Sequence, residues 1–356
     1  MQEFWNGKKI LITGHTGFKG SWLAFWLKLL GAEVGGYSLA PETSPNLFEN
    51  LQLENQINSV IGDIRDLPEF EQTVRAFQPE IIFHLAAQSL VRKSYREPLE
   101  TYTTNVIGTV NVLEAVRRAD SVKAVVVVTT DKVYENKEWL WAYRENERLG
   151  GFDPYSNSKA CAELAVAAYR NSFFATGDCL IATARAGNVI GGGDWSEDRL
   201  LPDVFRSLIF GESLKIRYPF AVRPWQHVLE PLAGYLTLAE RLYNGEKNCA
   251  EAWNFGPSDE DSKPVGWILE EIKRVWNEPV NWRIGTEKQP HEANLLKLDS
   301  IKARTELKWS PKLNINDAVK LTAEWYRGYK NKTDLIDLTK NQIEFYQAKN
   351  LFSQSV

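Results

Sequence analysis

A chain of 356 residues, 44% apolar and 25% charged, holds one large or two modest domains around a sizeable core, and its near-average composition excludes disordered, collagen-like and coiled-coil architectures. Its 42 basic and 46 acidic side chains leave a formal net charge of −4, too mild and of the wrong sign for a general binder of nucleic acid or anionic membrane, so a small molecule or another protein is the expected partner. Three cysteines, Cys161, Cys179 and Cys249, with no CxxC pair, exclude a disulfide framework, and neither a secretory leader nor an apolar run of about 18 residues is legible, so a soluble cytoplasmic protein is expected.

In chain order, KKILITG (8–14), FKGSWLAFWLKLLG (18–31) and AEVGGYS (32–38) read as strand, helix, strand. Trp22 and Trp26, at i, i+4 spacing, read as core packing. Further strands are expected at INSVIGDI (57–64), EIIFHLAA (80–87) and KAVVVVTTD (123–131), separated by DLPEFEQTVRAF (66–77) and by a long segment from Pro98 to Ala119. Apolar runs without alternation mark strands buried on both faces, with helices as cover. The expected fold is therefore α/β, a Rossmann-type doubly wound parallel sheet.

After GNVIGGGDWSEDRLLPD (187–203) the rhythm loosens into short strand candidates, SLKIRY, EAWNFGP and VNWRIG, around helices such as EPLAGYLTLAERLYNG (230–245). This predicts a cofactor domain over 1–187 and a smaller C-terminal α+β unit, mainly substrate-binding, over 188–356, lying along the carboxyl edge of the sheet with the chain re-crossing between them. The charged tail after Tyr329 is helical in composition.

GHTGFKG (14–20) spaces glycines as GxxGxxG between a predicted strand and a predicted helix. Gly14 permits a tight turn, Gly17 admits a pyrophosphate to the helix N-terminus, and Gly20 lets helix pack on sheet, so the loop predicts a dinucleotide site. No Lys or Arg lies between Lys28 and Arg65 to meet a 2′-phosphate, which favours NAD over NADP, although no acid closes the second strand. Asp63 in GDIRD accepts from the adenine amine or caps the helix near Leu67. Lys19 meets a pyrophosphate or is solvated, and His15 and Lys19 are unusual in such a loop.

Tyr155 and Lys159 form a YxxxK pair, which on a helix places both on one face. A phenol ionising near pH 10 needs an ammonium within a few Å to act as a base at neutral pH, about 7, and it then deprotonates a substrate hydroxyl as hydride leaves the same carbon. TTDK (129–132) ends a strand at the ligand-binding edge: Thr130 is suited to a sugar hydroxyl, Asp131 to acid or base, and Lys132 adds a second ionisable group, or Asp131 and Lys132 simply end the strand as polar loop residues. Arg223 and His227 in VRPWQHVLEP face the cleft, where an Arg pairs with a diphosphate, or lie on the surface. His84 reads as a packed core residue, and since His15, His84, His227 and His291 show no metal spacing, no metal is expected.

Together GHTGFKGSWL, SLAPETSPNLFE, FHLAAQSLV, VVTTDKVYEN, DPYSNSKACAE, GNVIGGGDWSEDRLLPD, RPWQHVLEPLAGYL and EANLLKLD resemble the extended short-chain dehydrogenase/reductases over nearly the whole chain. Within them the resemblance is to the nucleotide-sugar 4,6-dehydratases, and most to the branch acting on CDP-glucose. TTDK and GGGDWSEDRLLPD are its specific motifs.

The resemblance implies a redox-neutral hydro-lyase cycle on an NAD that stays bound between the half-reactions: oxidation at C4 of the sugar, loss of water across C5 and C6, and hydride return to C6. It assigns Tyr155, Lys159 and Thr130 to C4, and Asp131 to the departing 6-hydroxyl. Relatives carry Glu where this chain has Lys132, which is then the C5 base or an enolate stabiliser. The implied cofactor wall is Gly14, Thr16, Gly17, Phe18, Gly20, Asp63, Ile64, Leu85, Ala86, Ala87, Gln88 and Thr129 with Tyr155 and Lys159. The substrate set is Asn188, Arg199, Arg223 and His227. A homodimer or higher homo-oligomer through helix 155–170 is implied, though a buried intrachain face explains Cys161, Ala162, Leu164, Ala165 and Ala168 as well. A nucleotide-sugar 4-epimerase and a non-catalytic NAD-binding regulatory protein are the alternatives. The first has no need of Asp131, and the second usually lacks YxxxK.

Overall fold

The computed structural model describes residues 2–285 and 295–349; His291 and the 292–294 part of the EANLLKLD motif lie outside them. Seven parallel strands, β1 (Lys9–Thr13), β2 (Glu33–Ser38), β3 (Asn58–Ile61), β4 (Ile81–His84), β5 (Ala124–Val128), β6 (Leu180–Arg185) and β7 (Ala252–Asn254), form one sheet in the order β7-β6-β5-β4-β1-β2-β3. The order reverses beside β1, where the crossover to β2 leaves in one direction and β4 pairs on the other side. That reversal opens a crevice outside the carboxyl ends of β1 and β4.

The strands carry apolar runs because each face of the sheet is covered. Ile10 and Ile12, Ile81 and Phe83, and Val126 point into one core, while Leu11, Ile82, Val125 and Val127 point into the other. The first core packs under helices α1 (Phe18–Leu29) and Leu229–Tyr243; the second packs under α2 (Leu67–Phe77), α3 (Gly108–Arg117) and α4 (Pro154–Phe173). Between Pro98 and Ala119 the chain forms a short helix, Pro98–Tyr102, then a π-helical turn, Thr103–Ile107, that leads into α3.

Trp22 and Trp26 are fully buried as core residues, and they join the two halves of the chain. The Trp22 indole donates to the Gly192 carbonyl at 2.9 Å, and Trp26 packs edge-on against Tyr346. Beyond residue 188 come α5 (Leu200–Phe210), α6 (Leu229–Tyr243), α7 (Val265–Trp276), α8 (Ile315–Lys330) and α9 (Leu335–Ala348), with short strand pairs between them. EAWNFGP, grouped by sequence with the smaller unit, supplies β7 of the large sheet, paired to β6. No helix of the described residues is long and apolar enough to cross a membrane.

Candidate active site

The chain turns sharply after β1 because Gly14 adopts φ +78°; a Cβ there would stand 2.7 Å from the Ala86 nitrogen, and one on Gly20 would stand 2.0 Å from the Gly14 carbonyl oxygen. Gly17 caps α1 with no side-chain acceptor, which leaves the first-turn N–H groups of the helix for an incoming anion. Gly14, Thr16, Gly17, Phe18 and Gly20 line one end of a cavity of about 1150 Å³ that runs across the carboxyl ends of β1, β4 and β5 into the second unit. Leu85, Ala86, Ala87 and Gln88 form its floor, and Asp63 and Ile64 a side wall. The Gln88 side chain is turned inward, its amide donating to Thr101 Oγ1 at 2.8 Å.

At the β2 end of this cavity the Thr16 hydroxyl donates to the Leu39 carbonyl at 2.8 Å. Asp63 accepts from the Arg65 backbone N–H and Nε, both at 2.9 Å, and this pairing holds its carboxyl below the usual range. The cap of α2 is Asp66, which accepts from Glu69 N at 3.0 Å; the capping alternative for Asp63 is thereby excluded, because Asp63 sits one turn too early. Lys93 reaches the same corner but lies among Glu42, Glu97 and Glu100, at 3.5, 3.7 and 3.4 Å. His15 points away from the cavity: its ring is pressed over Gly36, meets Ser59 Oγ at 2.7 Å, and is held by burial to a pKa of about 4. Lys19 lines the cavity, and burial together with the charge of Arg199 lowers its pKa to about 8 against the opposing pull of Asp131 and Asp194.

The chemistry-bearing groups converge beyond β5. Thr129, Thr130, Asp131 and Lys132 line the cavity with Tyr155 and Lys159 of α4. Asp153 starts α4 by accepting from Ser156 N at 2.9 Å, which brings the next turn against the strand end. Asp131 is fully buried. Its Oδ1 accepts from the Thr130 hydroxyl at 3.0 Å and from Lys132 Nζ at 3.4 Å, whereas Oδ2 has no partner among the described residues and abuts Gly187, where a Cβ would lie 1.8 Å from it. Tyr155 is buried, and burial raises its phenol pKa; the Thr130 hydroxyl and the charges of Lys132 and Arg199 act the other way.

Lys159 is anchored at the strand end. Its ammonium donates to the Val128 carbonyl at 2.9 Å, and burial lowers its pKa to about 8, with Glu163 opposing. The side chain thus reaches the end of β5, and the charges of Lys132 and Arg199 pull the Tyr155 phenol down.

Among the substrate candidates, Asn188, Arg199 and Arg223 line the cavity. Asn188 takes φ 47°, and its Oδ1 is buried without a partner among the described residues. His227 does not face the cleft. It is fully buried beneath Trp22, ring centroids 6.0 Å apart, and its pKa is lowered to about 3 because strand Gln226–His227 passes under the cavity wall. His84 is likewise internal, bonded to Thr13 at 2.7 Å and Thr109 at 3.0 Å.

Two supporting groups carried little sequence signal. Glu163, one turn beyond Lys159, holds the Thr129 hydroxyl and a fully buried Arg185 at 2.8 Å; Arg185 also donates to the Tyr134 hydroxyl at 2.8 Å. Asn105, in the π-helical turn, accepts from Gln88 N at 2.9 Å and donates to Ser158 Oγ at 2.9 Å, bracing the cavity floor against α4. The i, i+4 placement of Glu163 was legible; Arg185 and Asn105 were ordinary polar residues until folded.

A family model described as GDP-mannose 4,6 dehydratase matches residues 11–189. The CDP-glucose 4,6-dehydratase of Salmonella typhimurium is 48% identical over 352 residues, 98% of each chain. The chain belongs to this 4,6-dehydratase family. The dTDP-glucose 4,6-dehydratase of Streptomyces antibioticus is 27% identical, covering 89% of this dehydratase and 92% of that one. Among solved structures, the UDP-glucose 4-epimerase of Thermotoga maritima with UDP-glucose superposes with a TM-score of 0.78 at 24% identity, over 90% and 99% of the two chains. The dTDP-glucose 4,6-dehydratase of Bacillus anthracis in complex with NAD superposes at 0.75 and 22% identity, over 93% and 100%. Both likenesses place this dehydratase in the same fold.

Proposed function

We propose that the protein is a CDP-glucose 4,6-dehydratase using NAD, which converts CDP-glucose to CDP-4-keto-6-deoxyglucose. The observation that carries the reading is the meeting of a buried phenol, Tyr155, with a fully buried carboxyl, Asp131, and an ammonium, Lys132, at one end of a cavity whose other end is a glycine turn on an uncapped helix N-terminus. The near-complete coverage of a CDP-glucose enzyme at 48% identity supports the choice of sugar nucleotide.

NAD fits the cavity because Gly14 and Gly20 leave no room for side chains, the α1 N–H groups receive its pyrophosphate, and Asp63 stands in the wall. When bound it would supply a hydride acceptor for C4 and a hydride donor for C6. Tyr155 Oη takes the proton of the 4-hydroxyl. The Asp131–Lys132 pair removes one proton from C5 and delivers one to the departing 6-hydroxyl, so one water is lost; when hydride returns to C6 a proton is restored to C5, balanced by the one Tyr155 took from the 4-hydroxyl, and each group ends as it began. Asn188, Arg199 and Arg223 hold the nucleotide end. An epimerase has no need of Asp131, and a regulatory NAD binder needs neither Asp131 nor the phenol.

The same reading places the protein in a reducing cytoplasm, in keeping with its three unpaired thiols. It also pairs the chain into a homodimer through the exposed Leu164 and Phe173 of α4 and Leu99 and Ile107 of the preceding helical run. The test of the reaction incubates the purified protein with CDP-glucose and NAD, then adds alkali to reveal the 4-keto sugar by its absorbance. An epimeric product, or none across several nucleotide sugars, rejects the dehydratase assignment.

A further inference from the structure

GGGDWSEDRLLPD contains a charged dipeptide, Asp198–Arg199, that the reaction just described uses only in part. Asp198 Oδ1 accepts from Arg92 Nη1 at 3.1 Å and from Arg217 Nη1 at 3.0 Å, and its backbone carbonyl accepts from Arg217 Nη2 at 3.1 Å. Arg92 belongs to the helical turn Val91–Arg96 of the first domain; Arg217 follows strand Leu214–Ile216 of the second unit. Arg199 repeats the bridge, donating to Ser89 Oγ of the first domain at 2.9 Å and pairing with Asp194 at 3.3 Å. One dipeptide is thus tied to both walls of the cavity, which all these residues line.

Asp198 holds this position in the left-handed region, φ 59°, a backbone that strains a non-glycine residue. The three side chains are half-buried, and ion pairs with that much water contact add little to stability. Orientation is what the tie provides. Two guanidinium groups share one carboxylate, and each keeps further N–H donors in the fork geometry that matches phosphate oxygens.

We propose that Asp198 is a positioning residue that presents Arg92 and Arg217, from opposite walls, to the diphosphate of the nucleotide sugar. The proposal rests on the nucleotide-sugar reading of the cavity and deepens it. A diphosphate seated between the two guanidinium groups draws both walls onto itself, so the carboxylate that orients the pair sets how well the phosphates, rather than the base or the sugar, are recognised.

The experiment titrates CDP, and separately cytidine, into the NAD-loaded protein by calorimetry. Asp198→Ala is expected to weaken CDP by about tenfold and the double variant R92Q/R217Q by more, as loss of charge-assisted hydrogen bonds does, while cytidine affinity stays close to the starting value. In the R92Q/R217Q background, Asp198→Ala adds little, because its partners are gone. The KM for CDP-glucose rises with the CDP dissociation constant while kcat at saturation moves less. Asp198→Asn, which keeps the shape of the side chain, guards against misfolding of the alanine variant, and a thermal melt checks both. CDP binding unchanged, cytidine weakened as much as CDP, or an effect that is additive with R92Q/R217Q overturns the proposal. Turnover of CDP-glucose by the unaltered protein is read separately: its absence overturns the reaction but leaves the CDP result to decide the role of Asp198.

Discussion

At Tyr155 two opposing forces meet. Burial raises the phenol pKa, and the Thr130 hydroxyl and the charges of Lys132 and Arg199 lower it. Lys132→Gln removes one of them, so the pH at which C4 oxidation reaches half its maximum moves upward; single-turnover absorbance of the reduced cofactor across pH reads this, and an unshifted curve removes Lys132 from the role. Asp131 poses a different question, because its Oδ2 is buried and unpaired beside Gly187. Asp131→Asn is expected to spare C4 oxidation and slow water loss by about 10²–10⁴-fold, the usual span for a positioned proton donor. Reduced cofactor then accumulates during turnover. Full dehydration rates in that variant would dismiss Asp131 as the acid.

Among the elements, α6 carries a second buried carboxyl, Glu230, at its first turn. Its Oε1 accepts from Lys312 N at 2.8 Å and Leu313 N at 2.6 Å, and its Oε2 accepts from the Tyr346 hydroxyl at 2.8 Å, tying α6 to the turn before α8 and to α9. Burial raises its pKa from 4.5 to about 7. Because the folded protein holds this proton more tightly than the unfolded chain, the contribution is fully present below pH 4.5 and is lost as pH rises through about 7. Glu230→Gln, isosteric and neutral, should abolish that fall and match or exceed the stability of the unaltered protein at alkaline pH, as urea midpoints measured across pH would show. An equal pH dependence in both proteins would contradict it.

The large sheet was legible because strands covered on both faces must be apolar at every position, as AVVVV of β5 is. The glycine turn and YxxxK were legible because backbone sterics and helix period fix their spacing. Other features depend on what lies across the fold: Asp66 rather than Asp63 caps α2, His227 passes beneath Trp22, and Lys159 bends to a carbonyl. Two- and three-residue strands such as Val189–Ile190 and Val222–Pro224 are too short to show a period of their own.

For the whole molecule, the two units share one core. Trp22 of α1 bonds to Gly192, α6 packs on β5 and β6, and β7 completes the sheet from beyond residue 250. A fragment spanning 1–187 therefore lacks both an edge strand and the cover of one face, and it should show no cooperative unfolding transition, whereas the full chain unfolds in one step. Circular dichroism during denaturation distinguishes the two; a cooperative transition in the fragment would mean that the first domain stands alone.

The placement of β7 also bears on synthesis. As the polypeptide leaves the ribosome, β6 emerges with the backbone of Thr183, Ala184 and Arg185 unpaired on one side, and its neighbour there is not made until Ala252. During that interval the nascent chain offers a ready template for pairing with another nascent chain, so the yield of native protein in the cell should depend on how fast translation crosses this stretch and on chaperones able to shield a bare sheet margin.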